Sequence, residues 1–239
     1  MSSTDGARLL IVNADDFGRA QGVNAGISRS HEQGIVTSAS LMVRWPAAIP
    51  AAEYARAHPG LGIGLHVDLG EWAFEKGKWT CVDEVVPLDR PEAVEAEVRA
   101  QLEAFRRLIG GDPTHLDSHQ HVHTQAPLVE ASLERLAEEL GLQLRQVTSQ
   151  VRYCGDFYGQ TATGRPRHEQ IRTEHLVEIV TKLQPGVTEL ACHPGEGLDI
   201  DSPYREEREL EVAALCDARV RAAIEREAIV LCSFADVTD

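Results

Sequence analysis

This chain is short of positive charge. Its 239 residues carry 23 Lys and Arg against 38 Asp and Glu, a formal charge of −15. That balance excludes a protein that coats nucleic-acid phosphates, because such affinity comes from Lys and Arg. It equally disfavours attraction to an anionic membrane surface. Apolar runs are short, and none approaches the ~20 residues of a membrane span. The first residues, Met1 to Gly6, are polar and lack the apolar centre of a secretion signal, so a cytoplasmic protein is expected. Cysteines are few and scattered: Cys81, Cys154, Cys192, Cys216 and Cys232, with no Cys-x-x-Cys pair. An odd, unpaired set fits reduced thiols rather than a disulfide framework. Cys192 alone lies beside candidate chemistry, and it reads as a packed strand residue. Repeats, low-complexity tracts and linkers are also missing.

Hydrophobic residues make up 43% of the chain, enough for a sizeable core without disulfides. Short apolar runs alternate with amphipathic ones. Leu9–Val12, Ile35–Val43, Leu61–Leu65, Thr114–Ser118, Gln143–Val147, Val187–Cys192 and Ile229–Cys232 read as strands. Helices are expected around Gly22–Gln33, 47–57, Pro91–Ile109, Pro127–Leu140, Glu169–Leu183 and Pro203–Arg226. The fourth should turn Leu128, Leu133, Leu136 and Leu140 inward. Asn13–Arg19 reads as a polar turn, and residues 70–90 as a long insertion without a clean period. Residues 150–168 read as a loop region. Strand and helix alternate from end to end, which points to one α/β domain of mostly parallel strands. Seven or eight such units suggest a closed or nearly closed β/α barrel, with an open doubly wound sheet as the alternative.

Such folds build their sites beyond the carboxyl ends of strands. Four expected strand ends carry Asp or His there: Asn13-Ala14-Asp15-Asp16-Phe17-Gly18, His66-Val67-Asp68, the run His115 to His123, and His193-Pro194-Gly195-Glu196. Alone, an Asp pair after a strand can be a helix cap, and a single His a structural residue. Their joint delivery to one face describes a metal site. Imidazole and carboxylate donors suit Zn²⁺, Co²⁺, Ni²⁺ or Fe²⁺, with Mg²⁺ possible if waters complete the shell. Two His and one carboxylate leave positions open for water and substrate, the arrangement of a catalytic ion. A neighbouring carboxylate can then take a proton from water, and a His opposite can protonate a departing group. Metal-assisted hydrolysis is the chemistry that results.

The segment Val12-Asn13-Ala14-Asp15-Asp16-Phe17-Gly18, followed by Gly22-Val23-Asn24-Ala25-Gly26-Ile27, resembles the opening of YdjC-like carbohydrate deacetylases, the ChbG/HpnK group. Gly64-Leu65-His66, Thr114 to His123 and His193-Pro194-Gly195 resemble it in the same order. The resemblance covers about residues 8–235. It implies a deformed, TIM-like β/α barrel and removal of acetyl groups from N-acetylated sugars with one divalent metal ion, Mg²⁺ or Zn²⁺, with Co²⁺ and Ni²⁺ possible. It makes Asp16, His66 and His119 the metal ligands, Asp15 the general base and His193 the general acid. His119 is preferred to His121 and His123 because it lies nearest the strand end. Asp117 is a candidate partner for a ligand imidazole. Trp72, Phe74, Trp79, Tyr153, Phe157 and Tyr158 are candidates for stacking on sugar rings, and Arg145, Arg152 and Arg165 for polar contacts. A phosphoesterase and a non-catalytic sugar-binding barrel are the competing readings. The partner expected is a small N-acetylated sugar or oligosaccharide, and the last helix could cover the barrel or offer a homodimer surface.

Overall fold

A computed structural model describes residues 6–197, 199–200, 202 and 204–237. The expected polar start, Met1–Asp5, and Pro203, the expected first residue of the last long helix, lie outside the described residues. Eight strands form one all-parallel sheet: β1 (Arg8–Phe17), β2 (Ser38–Leu41), β3 (Gly62–Val67), β6 (His115–Ser118), β7 (Gln143–Leu144), β8 (Val151–Cys154), β9 (Gly186–Cys192) and β10 (Val230–Leu231). Two more, β4 (Gly70–Glu75) and β5 (Lys78–Glu84), make an antiparallel hairpin. The sheet order is β7-β6-β3-β2-β1-β9-β8. The first residues of β1 pair with β10, and its last residues pair with β2. The barrel is therefore deformed: β7 and β8 end the sheet, and no pairing joins them among the described residues.

Among the described residues, seven α-helices cover the sheet: α1 (Gln21–Glu32), α2 (Ala48–Ala57), α3 (Pro91–Ile109), α4 (Pro127–Leu140), α5 (Thr173–Thr181), α6 (Glu206–Leu215) and α7 (Ala218–Arg226). Their inward faces and the strands share one large apolar cluster. Helix α3 begins with Pro91 and ends at Gly110, whose φ of 90° gives the left-handed cap that glycine tolerates.

Several local expectations change. Asn13 to Phe17 is not a turn but the buried continuation of β1, because β9 pairs with it as far as Ala14 and β2 as far as Phe17. The insertion at 70–90 holds the β4–β5 hairpin, whose two-residue connection, Lys76 and Gly77, has positive φ at both positions, the geometry matched to strand twist. Within 150–168, β8 pairs with β9. The last long helix is two helices, since the Asp217 side chain accepts the Arg219 N–H and starts α7 afresh. On α4, Leu128 is 40% exposed, and Val129 takes the inward place. On α6, Ala214 and Leu215 pack inward while Leu210 faces out.

Candidate active site

β1 brings two adjacent aspartates to one place, which a regular strand cannot do because successive side chains alternate faces. The register against β2 runs Ala14 to Ala39 and then Phe17 to Leu41, three steps against two. The extra residue is a bulge, and Asp16 within it has φ 68°. Asp is among the few side chains that enter this left-handed region readily. Both carboxylates consequently line the same cavity while remaining almost fully buried.

Asp16, His66 at the end of β3 and His119 just after β6 each present a donor atom, and the three atoms lie within 4.8 Å of one another. Asp16 Oδ1 is 3.5 Å from His66 Nε2 and 3.0 Å from His119 Nδ1, yet it has no well-formed hydrogen bond. A buried carboxylate oxygen left in that state, facing two imidazoles, fits a bound cation. His66 Nδ1–H donates to Asp117 Oδ1 (2.8 Å), which leaves Nε2 available to hold a cation. His119 Nε2 lies 3.0 Å from Glu71 Oε2 on the hairpin and 2.8 Å from Arg19 Nη1. Asp15, His66 and Asp117 form a second close trio, but Asp15 and Asp117 are both bonded to Arg145, which occupies the place a cation would take.

Electrostatics separate the two aspartates. Burial pushes both carboxyls upward, but nearby cations win. Arg145 and His66 hold Asp15 low. Arg208 and His119 hold Asp16 well below the usual carboxylate range. Both are ionised near neutrality. Burial opposes charge on His66 too, but Asp117 and Asp16 outweigh it and lift it to about 10 in the ion-free protein. His193 follows β9, with Nε2 3.7 Å from Asp15 Oδ2. Burial lowers its imidazole to about 4 despite the aspartates. At neutral pH it is uncharged.

Several residues escape sequence reasoning. Arg145, 2% exposed and absent from the cavity wall, donates to Asp15, Asp117 and Glu189 inside the sheet. It balances the carboxylates that orient His66 and hold Asp15. Arg208 on α6 donates to Asp16 Oδ2. Glu211, fully buried, accepts the His193 backbone N–H and the Tyr204 hydroxyl. The sequence offers Arg145 only as a candidate for polar contacts with substrate, not as a buried partner of three carboxylates. Arg208, Glu211 and Glu71 carried no signal, since each sits in a charged stretch that reads as a solvated face.

The remaining candidates divide. His115 is buried against Phe234, and His123 is bonded to Ser118 and the Arg145 carbonyl. His121 lines the cavity without joining the trio. Cys192 is fully buried, and burial raises its thiol far above its ordinary value. Phe157 is 1% exposed, whereas Tyr158 stacks on Tyr204 at 4.6 Å beside His193. Trp72, Phe74 and Trp79 put the hairpin on the opposite wall. Arg152 bonds Thr188 on the sheet and is absent from the cavity wall; Arg165 is absent from it also.

The cavity holds about 1030 Å³, at the upper end for a small-molecule site. Four of the six non-glycine residues with positive φ among the described residues stand at or beside it: Asp16, Gln120, His121 and Gln146. Such conformations cost about 1–3 kcal/mol each and persist where surrounding contacts impose them.

Residues 9–226 match the YdjC-like protein family. A carbohydrate deacetylase of Geobacillus stearothermophilus is 35% identical over 250 residues, 95% of this chain and 97% of that protein. A chitooligosaccharide deacetylase of Salmonella paratyphi C is 31% identical over 260 residues, 96% and 99% of the two chains. Among solved structures, an Enterococcus faecalis V583 protein assigned to cellobiose-phosphate cleavage superposes with a TM-score of 0.77 at 26% identity, covering 98% of this chain and all of that one. The family match over residues 9–226 and the relatives matched along nearly their whole length make this chain a member of the YdjC-like family.

Proposed function

We propose that this chain is a divalent-metal-dependent hydrolase that removes the acetyl group from an N-acetylated sugar. The observation that carries the reading is the buried Asp16–His66–His119 trio with an orphaned carboxylate oxygen, set beside ionised Asp15 and neutral His193. Asp16, His66 and His119 would hold the ion. When bound, a divalent ion supplies Lewis acidity to the acetamide carbonyl and to a water. Mg²⁺ and Zn²⁺ both suit the reading, and Co²⁺ and Ni²⁺ suit the imidazoles.

The other groups divide the proton work. Asp15 accepts a proton from the water that adds to the carbonyl carbon. The C–N bond breaks when the sugar nitrogen is protonated, giving acetate and a free amine. His193 is the donor, but burial keeps it uncharged before substrate arrives. It therefore acquires its proton during the reaction, and Asp15 Oδ2, 3.7 Å from Nε2, is the nearest source. Tyr158 and Tyr204, flanking the ring, fix its direction.

The substrate reading rests on the relatives named for carbohydrate and chitooligosaccharide deacetylation, and on the cavity's size and aromatic walls. We infer a neutral N-acetylated oligosaccharide, taken by residues 8–235 acting as one catalytic domain. A phosphoesterase is disfavoured: Arg208 is the cavity's sole Lys or Arg among the described lining residues, and it is committed to Asp16. None of the helices is long and apolar enough to cross a membrane, among the described residues.

The test is acetate release from a panel of N-acetylated sugars by ion-reconstituted protein, with Asp15→Asn alongside. Acetate from the native chain and almost none from the variant is the expected result. Binding of sugar without acetate from any panel member would replace this reading with a sugar-binding barrel.

A further inference from the structure

Two left-handed residues near the His-rich turn, His121 (φ 52°) and Gln146 (φ 66°), aim their side chains at each other. Gln146 Nε2 is 2.9 Å from His121 Nδ1. An amide nitrogen only donates, so Nδ1 accepts and the ring proton sits on Nε2. That atom lies 3.3 Å from the Tyr153 hydroxyl oxygen. The hydroxyl accepts there and keeps its own proton to give away. Burial raises the Tyr153 phenol, so it stays protonated. His121 and Tyr153 both line the cavity that contains Asp15 and Asp16.

The other histidines of this run are spoken for. His119 faces Asp16, and His123 is enclosed by Ser118 and the Arg145 carbonyl. His121 is held by neither carboxylate nor cation; its two nitrogens meet an amide and a phenol. The backbone strain at its two ends is thus spent on fixing one tautomer and one direction of donation.

We propose that Gln146, His121 and Tyr153 form a one-way hydrogen-bond relay whose terminal donor, the Tyr153 hydroxyl, binds a hydroxyl oxygen of the sugar substrate. The proposal rests on the deacetylase reading and names the part of the site that recognises the carbohydrate. A neutral donor is the complement of a sugar hydroxyl: it offers direction without favouring an anion. The relay touches neither the reacting carbonyl nor the ion donors, so it governs affinity and leaves the chemical step alone.

The test uses the β-1,4 disaccharide of N-acetylglucosamine and its monodeoxy analogues. Tyr153→Phe removes only the terminal oxygen. It should raise KM roughly 3- to 10-fold, the usual worth of one neutral hydrogen bond, with kcat within about twofold. His121→Ala should shift KM in the same direction, and both variants should keep the ion content of the native chain. One monodeoxy analogue should bind Tyr153→Phe and native protein equally, because the partner oxygen is already gone. The relay is refuted if the Tyr153→Phe penalty persists undiminished on every analogue. It is refuted equally if kcat falls while KM holds, or if His121→Ala loses the ion. Calorimetric binding of the same sugars gives the comparison without turnover. A native chain that binds the disaccharide yet releases no acetate would overturn the deacetylase reading while leaving the relay testable.

Discussion

Two neighbouring aspartates meet different partners because the backbone at Asp16 enters the left-handed region within the bulge. Asp15 keeps the strand's direction and meets Arg145 and His193, whereas Asp16, at φ 68°, meets the two imidazoles and Arg208. Asp15→Asn should retain divalent-ion binding and lose turnover on the order of 10²- to 10⁴-fold. Asp16→Asn should weaken ion binding itself. Metal content and rate, measured on both variants, check the pair; ion loss in the first with retention in the second would reverse it. Glu211 offers a pH test. Burial lifts its carboxyl to about 8, above its ordinary value, against the bonds from Tyr204 and the His193 N–H. The folded chain therefore holds a proton that the unfolded chain loses near pH 4.5. Stability should fall as pH rises from there through about 8. Glu211→Gln cannot ionise, so its melting temperature should decline less than the native chain's between pH 6 and 9. Parallel declines would show that Glu211 does not titrate in that range.

At the scale of elements, the glycines of α1 explain a part of the motif that bears no chemistry. A β-carbon at Gly26 would lie 2.4 Å from the Gly195 Cα, and one at Gly22 would lie 1.8 Å from the Glu196 carbonyl oxygen. Helix α1 must lie that close because the segment after β9 passes over it carrying His193. Gly26→Ala should push this segment outward, costing about 1–3 kcal/mol of stability, as overpacking does. It should cut turnover more than ion affinity, since Asp16, His66 and His119 stand on other elements. Equal loss of both would show that the disturbance spreads through the sheet. The hairpin is the second such element. Gln120 accepts from the Trp72 N–H and donates to the Trp72 carbonyl (2.9 Å each), while Glu71 pairs with Arg19 at 2.6 Å. An insertion without helical period thus becomes a wall of the site.

At the scale of the whole molecule, a cluster of buried charge sits in the sheet interior. Arg145 is shared by Asp15, Asp117 and Glu189, all almost fully buried. Arg145→Met leaves those carboxylates uncompensated and should destabilise the fold by about 3–5 kcal/mol, read by denaturant unfolding. A loss near zero would mean that the carboxylates take up protons instead. A bound ion should act oppositely. Excess divalent metal at about 100-fold its Kd should add about 2.7 kcal/mol by mass action and raise the melting temperature. Asp16→Asn should abolish the shift at the same concentration, and a chelator should reverse it in the native chain. Each ion that enters must displace the proton held by His66, so its affinity should rise with pH toward about 10.

The alternation of strands and helices was legible in the chain because each element's period follows from local geometry. So were the residues at strand ends, since a parallel sheet has one end where sites form. Asp15, Asp16, His66, His119 and His193 could be picked out on that ground, and all five line the cavity. Local sequence did not reveal the bulge at Asp16 or the open seam between β7 and β8, because both arise from pairing between distant strands. Nor did it reveal that Arg145 is buried. A guanidinium enters a core only where carboxylates remote in sequence converge on it, here from positions 15, 117 and 189. The same holds for Glu71, Arg208 and Glu211: charged residues in charged stretches look alike until the fold puts one against an aspartate and another against a backbone N–H. Residue type and spacing determined which chemistry was available; tertiary packing decided that Asp16 faces the two imidazoles and Arg208, and that Asp15 faces His193 and Arg145.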